Sequence, residues 1–245
     1  MHIDVDNAAF SGELNRLQSA FKDQPNITVS QLEDEPFFSR FLSNTQTAVP
    51  FRYLRSGKGE NLAAASDVLR YRLIHEYGGI YMDCDDVIQG SFAEVVLEAS
   101  PDDVLMGGPV SSPKMSFFGP GNSHFASHAG NPVLKEVQKE LFSRFIDEFD
   151  SLKELGAARL AAADGTDPYM SKIFEITGPR LLLDMLKKFR PDYADLLDAL
   201  IKPRPGIRSL IYLEYLDQAN DFYAPFARRL RIAAGAENSW EVAPT

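Results

Sequence analysis

Two aspartates one residue apart, in Tyr81-Met-Asp83-Cys-Asp85, close an apolar run that begins just after Gly78 and Gly79. Side chains alternate along an extended backbone, so a strand over 80–88 predicts Tyr81, Asp83 and Asp85 on one face and Ile80, Met82 and Cys84 on the other. Same-face neighbours stand roughly 6 to 7 Å apart. At that spacing one carboxylate can hold a metal ion while the other holds a second group or a metal-bound water. Hard oxygen donors suit Mg2+ or Mn2+, which keep positions open for phosphate oxygens instead of being caged by protein. The chemistry expected of this strand end is a divalent cation gripping a diphosphate.

The preceding element must aim at the same place. Over 61–77 a 3.6-residue period sets Leu62, Ala65, Leu69, Leu73 and Tyr77 on one apolar stripe, with Asp67 and Arg70 sharing a flank off the core face. The same two residues also read as a surface i,i+3 ion pair worth about 0.2 to 0.5 kcal/mol. The small run Ala63-Ala64-Ala65-Ser66 lets a ligand or backbone approach closely. Gly78 and Gly79 supply the left-handed cap that ends the helix before the strand. Helix end and strand end then face one pocket.

Asn61-Leu-Ala-Ala-Ala-Ser-Asp67-Val-Leu-Arg70 followed by Tyr81-Met-Asp83-Cys-Asp85 resembles the catalytic core of the large clostridial glucosylating toxins and, more broadly, glycosyltransferases with a DXD-containing sugar-binding region. The resemblance implies a GT-A-type, Rossmann-like α/β fold, with a mixed sheet flanked by helices and extra C-terminal helices. It implies that Asp67 and Arg70 contact the transferred sugar, that Tyr81 seats the nucleotide, that Asp83 contacts ribose and sugar, and that Asp85 ligates the metal beside Asp83. Residues 122–128 and Thr177-Gly178-Pro179 are similar to later segments of such enzymes, with Asn122 as a donor or acceptor contact. Near the end, Glu237-Asn238-Ser239-Trp240 is similar to the toxin tail. There Glu237 or Asn238, with Ser239, would reach the metal, and Ser239 and Trp240 would bind the diphosphate end of the donor. Residues 234–245 would form a lid hinged at Ala233-Ala234-Gly235-Ala236. One feature departs from the family: its aromatic-Trp-Ile-Gly-Gly opening strand is missing, and the chain begins Met1-His-Ile-Asp-Val-Asp6 instead.

The activity so implied is a retaining transfer of glucose or N-acetylglucosamine from a UDP-sugar, with Mn2+ or Mg2+, to a hydroxyl of a protein acceptor such as a host small GTPase. A protein of this kind would be a toxin domain or an effector, secreted or injected into a host cytosol. Two other readings stay open. Asp83-Cys-Asp85-Asp86-Val87 also fits the Asp-x-Asp-x-Val opening of haloacid-dehalogenase-like phosphatases, in which the first carboxylate attacks phosphorus and the second is the acid. A sugar-nucleotide-binding scaffold without activity is the non-enzymatic reading.

Composition bounds the rest. A length of 245 residues with 44% apolar content suits one large α/β domain with a core, which the resemblance makes a single glycosyltransferase domain over 1–245, and no segment approaches the roughly 20 apolar residues needed to cross a bilayer. A formal charge of −10 and a pI near 4.9 argue against nucleic acid or anionic membrane as partners. No amino-terminal secretion signal is apparent. The single cysteine, Cys84, forms no internal disulfide and reads as a buried thiol. Helical patterns cover 11–22, 35–46, 61–77, 131–148, 150–163, 178–189 and 193–200; strand patterns cover 27–32, 80–88, 103–107, 114–118 and 208–214, with a short first strand at 3–5. His124 and His128 would share a helix face, but with Gly130-Asn131-Pro132 next to them they make a poor zinc site. Arg228-Arg229-Leu-Arg231 reads as an exposed basic helix or the mouth of a phosphate site.

Overall fold

The computed structural model describes residues 2–3, 7–56, 60–91, 95–112, 115–159, 168–201 and 210–233. Glu237, Asn238, Ser239 and Trp240, with the expected lid, lie outside the described residues. The chain falls into two compact units, 1–48 and 49–245.

In the first unit, β1 (His2–Ile3) pairs in parallel with β2 (Ser30–Gln31), and α1 (Asn7–Phe21) makes the crossover that a parallel pair requires. The expected first and second strands thus form a strand–helix–strand unit. α2 (Pro36–Ser43) starts on a proline at its first turn, where the missing N–H costs nothing, and buries Phe37, Phe38 and Phe41. Phe38 and Phe41 stack with centroids 5.6 Å apart. The single helix expected over 35–46 instead breaks at Asn44, whose backbone is extended and whose side chain accepts the Gln46 N–H at 2.9 Å. A new helix, α3 (Thr45–Arg55), restarts from there and continues through Pro50.

The second unit is built on α4 (Leu62–Tyr77), capped by Asn61, whose side chain accepts the Ala64 N–H at 3.0 Å. Gly78 and Gly79 follow with φ of +68° and +93°, the left-handed conformations expected of this pair. At Gly78 glycine is required twice over, because a Cβ there would sit 2.7 Å from the Ala129 nitrogen. The chain then enters β3 (Gly79–Met82), which stops short of the acidic residues; β4 (Val87–Ile88) is a separate strand. Next come β5 (Val104–Met106), the hairpin of β6 (Pro109–Ser112) with β7 (Phe117–Pro120), and β8 (His124–Ser127). β8 lies between β3 and β5, antiparallel to both, with Met82 opposite His124 and Met106 opposite Phe125.

Helices complete the unit: α5 (Pro132–Asp147), α6 (Phe149–Arg159), α7 (Pro168–Ile176), α8 (Pro179–Phe189), α9 (Pro191–Ile201), α10 (Leu210–Tyr223) and α11 (Pro225–Arg228). α5 packs against both α4 and α8, burying Leu134, Val137, Leu141 and Phe145 together with Leu182 and Leu186. The last described strand, β9 (Ile232–Ala233), pairs antiparallel with β4, Ala233 opposite Val87.

Further expectations change. The strand over 80–88 is interrupted by a turn at Cys84 and Asp85, and Cys84 is exposed, not buried. Residues 208–214 were expected as a strand, but from Leu210 on they belong to α10; a short apolar run has no period of its own, and the uninterrupted continuation to Tyr223 decides for helix. His124 and His128 belong to a strand and its exit, not to a helix face. The α4 stripe is rotated: Leu62 is 62% and Tyr77 51% exposed, whereas Ala64, Ala65, Val68, Tyr71 and Ile74 are buried together with Asp67 and Arg70.

Candidate active site

Asp67 and Arg70 face the interior of the second unit, 0% and 3% exposed. Burying a charge is costly unless it is paired and hydrogen-bonded, and here the partners come from distant segments. Asp67 accepts from Asn122 Nδ2 and from Thr177 Oγ1, each at 2.9 Å, and its Oδ1 lies 3.4 Å from Arg70 Nε. Arg70 donates through Nη1 to the Asn122 carbonyl at 2.6 Å and through Nη2 to Ser66 Oγ at 3.3 Å. Nη2 also lies 3.1 Å from Asp83 Oδ1, and the guanidinium stacks 4.6 Å from the centre of the Tyr81 ring. The Asn122 amide donates to Tyr71 OH as well, at 3.1 Å.

Asp83 joins this network from the end of β3. Its Oδ1 accepts from Tyr81 OH at 2.7 Å, and Tyr81 OH is 3.1 Å from Ser66 Oγ. The Tyr81–Asp83 bond keeps these two side chains on one side, as the alternation predicts. The Asp83 N–H donates to Ser123 O at 2.8 Å, and the Asp86 N–H closes the turn onto Asp83 O at 3.1 Å. Asp85 sits half-buried within that turn and makes no side-chain hydrogen bond or ion pair among the described residues. Asp86 turns inward, its side chain fully buried, with Oδ2 3.0 Å from His124 Nδ1.

The electrostatics follow from this packing. Burial pushes the Asp67 carboxyl up to about 7, against the downward pull of Arg70 and of the hydrogen bonds from Thr177 and Asn122. Asp83 is raised for the same first reason; Arg70 and the Tyr81 hydroxyl lower it, and the neighbouring Asp86 and Asp85 push it back up. Burial opposes the charge on Arg70, yet Asp67, Tyr81 and Asp83 together hold it above the ordinary arginine range. Burial also raises the Tyr81 phenol, which therefore stays a hydrogen-bond donor at neutral pH.

The structure thus gathers Asp67, Arg70, Tyr81, Asp83 and Asn122 into one cluster, with Asp85 on the adjoining turn. Asp67 and Arg70 do not reach the surface, whereas Tyr81 and Asp83 are partly exposed. Glu237, Asn238, Ser239 and Trp240 are outside the described residues. Sequence reasoning missed Tyr71 and Asp86 as members, noted Ser66 only as part of a small-residue run, and singled out Ser123, His124 and Thr177 only within similar segments. The available signal was Asp86 itself, a third acid in four residues with no cation nearby in sequence.

The donor set fits a hard divalent cation. Both polar contacts of Asp83 fall on Oδ1, and Asp85 offers a half-exposed carboxylate on the same turn. No group of three or more His, Cys, Asp or Glu gathers as an ion cage among the described residues. One or two carboxylates with the rest of the shell left to water and phosphate oxygens is the usual arrangement for Mg2+ and similar ions.

Residues 11–103 match the family described as the glycosyltransferase sugar-binding region containing the DXD motif. Among solved structures, the chain is similar to the PaToxG glycosyltransferase, with a TM-score of 0.57 at 16% identity over 91% of this chain and 66% of that one. It also matches the glycosyltransferase domain of the YGT toxin, ligand-free at TM-score 0.49 and 13% identity over 78% of this chain and 57% of that one. The UDP-bound form of that domain matches at 0.47 and 14% over 75% and 55%. The chain therefore spans two thirds or less of the length of these structures. No curated protein matches it. The stretch from residue 11 to 103, which carries Asp67, Arg70, Tyr81, Asp83 and Asp85, is thus similar to the DXD-containing sugar-binding region of glycosyltransferases, and the fold around it is of the GT-A type.

Proposed function

We propose that this chain is a metal-dependent, retaining glycosyltransferase that moves glucose or N-acetylglucosamine from a UDP-sugar to a hydroxyl of a protein acceptor. The observation that carries the reading is the junction of a buried Asp67–Arg70 pair with the Asp83–Asp85 turn, joined through Asp83 Oδ1. Asp85, with Asp83 beside it, is the site for Mn2+ or Mg2+. When bound, the ion neutralises charge developing on the departing diphosphate, which is where fixed electrostatics lowers the barrier.

The protein's own residues orient the donor. Tyr81 and Asp83, the partly exposed members of the cluster, seat ribose and sugar, and Arg70 and Asp67 form a charged floor beneath them. Arg70 is held from three sides and loses little freedom when a ligand arrives. No general base is required, because a phosphate oxygen of the leaving group takes the acceptor's proton as the hydroxyl attacks the same face of the sugar. By resemblance to the toxins, Glu237 or Asn238, with Ser239, would help hold the ion, and Trp240 would bind the diphosphate end of the donor. By resemblance to the toxins, the acceptor is a host small GTPase and the protein acts as a secreted or injected effector.

The phosphatase reading is less well supported, because Asp83, its would-be nucleophile, is tied to Tyr81 and Arg70 through Oδ1. A panel of UDP-sugars assayed for hydrolysis with and without Mn2+ separates the readings. We expect slow, Mn2+-dependent release of UDP from one hexose donor. Preference for simple phosphomonoesters would favour a phosphatase, and inactivity on every donor and phosphoester would favour a scaffold.

A further inference from the structure

We propose that His124 and Asp86 are a positioning pair that holds the acidic turn in its metal-binding shape; the proposal rests on the reading of that turn as the cation site. The turn is fastened at both ends by two consecutive residues, Ser123 just before β8 and His124, the first residue of that strand. At its first end the Asp83 N–H donates to Ser123 O at 2.8 Å. At its last end the Asp86 carboxylate meets His124 Nδ1 at 3.0 Å. A carboxylate only accepts, so Nδ1 carries the proton and donates it to Asp86. Ser123 Oγ lies 3.0 Å from the same nitrogen. Between the two fastenings stands Asp85.

The imidazole has little room to leave. A Cβ on Gly107 would lie 2.2 Å from His124 Nε2, so the ring occupies space that only glycine vacates. The Phe226 ring stands edge-on to it, with centroids 6.0 Å apart. The Asp86 side chain is fully buried, and a carboxylate removed from water in this way must be held by donors. The residue just before this pair, Asn122, binds Asp67, Arg70 and Tyr71. Residues 122–124 therefore set α4 and the acidic turn against each other, and His124 is the member that answers for the turn.

Mn2+ binding in the presence of excess UDP, read from the electron paramagnetic resonance of the free ion, tests the pair without requiring turnover. Far-UV circular dichroism melts confirm that each variant is folded. His124→Phe keeps a ring and removes the donor; it should weaken Mn2+ binding roughly 10- to 100-fold, as loss of a ligand-orienting contact does. His124→Asn places an amide N–H near the position of Nδ1 and should recover affinity close to wild type. Asp85→Asn should abolish binding. Wild-type affinity in folded H124F, or no recovery in H124N, overturns the positioning role while leaving Asp85 as the ligand. Wild-type affinity in D85N overturns the cation site itself. Should H124F not fold, His124→Gln, whose amide reaches toward the Nε2 side, replaces it in the comparison, and equal affinity of H124Q and H124N overturns the proposal.

Discussion

The interior of α4 and the turn after β3 carry similar acidic chemistry in opposite circumstances. Asp67 is sealed from water and fully partnered by Asn122, Thr177 and Arg70. Asp85, some 18 residues later in sequence, stays half-exposed without a partner among the described residues. The first arrangement is closed and rigid, since removing any member strands a buried charge. The second is open, with carboxylates held close to one another and to Asp86, an arrangement that favours an incoming cation. The difference shows how the site divides its work: one region supplies a fixed frame, the other leaves valence for ligand.

The comparison predicts different failures. Arg70→Ala strands Asp67 and Asp83 together and should destabilise the fold by about 3 to 5 kcal/mol, the usual cost of breaking a buried pair. Urea denaturation measures it, and a loss under about 1 kcal/mol would show that the Arg70 contacts do not hold the fold. Asp85→Asn should leave the denaturation midpoint unchanged and cut metal-dependent turnover by roughly 100- to 1,000-fold, or about 2.7 to 4 kcal/mol. An Asp85→Asn variant that unfolds, or that turns over normally, would erase the distinction between frame and site.

A pH titration of stability sharpens the contrast. With its carboxyl raised to about 7 in the fold, Asp67 binds a proton there between pH ~4 and ~7 while the unfolded chain does not, so stability falls as pH rises through this window. The slope from this group is at most about 1.4 kcal/mol per pH unit and vanishes below and above the window. Asp67→Asn should flatten that part of the profile; an unchanged profile assigns the dependence to other groups. The smallest effect is expected at the helix start, where Asn61→Ala should cost about 1 kcal/mol through loss of the N-cap, read as a shift in thermal midpoint with turnover of the folded enzyme unchanged.

Local chemistry was legible in the sequence. The bounds of α4, its left-handed glycine stop, the shared side of Tyr81 and Asp83, and the proline-led start of α8 all follow from short-range rules. What was not legible depended on partners far along the chain. The period of α4 alone put Asp67 and Arg70 on a flank, because nothing within the helix reveals that Asn122 and Thr177 will meet them. The alternation over 80–88 assumed an unbroken strand, and the turn at Cys84 and Asp85 is stabilised by residues 123 and 124, some forty positions on. Once that turn forms, Cys84 moves to the surface.

The Asn122 side chain sits where a carboxamide is needed, its nitrogen giving hydrogen to Asp67 and Tyr71. Asn-Ser sequences lose ammonia slowly when the following backbone nitrogen can attack the side chain. Conversion of Asn122 to an acid would set a new carboxylate against Asp67, both of them buried, and loosen helix and turn together. Asn122→Asp should therefore lower the thermal midpoint of the folded protein.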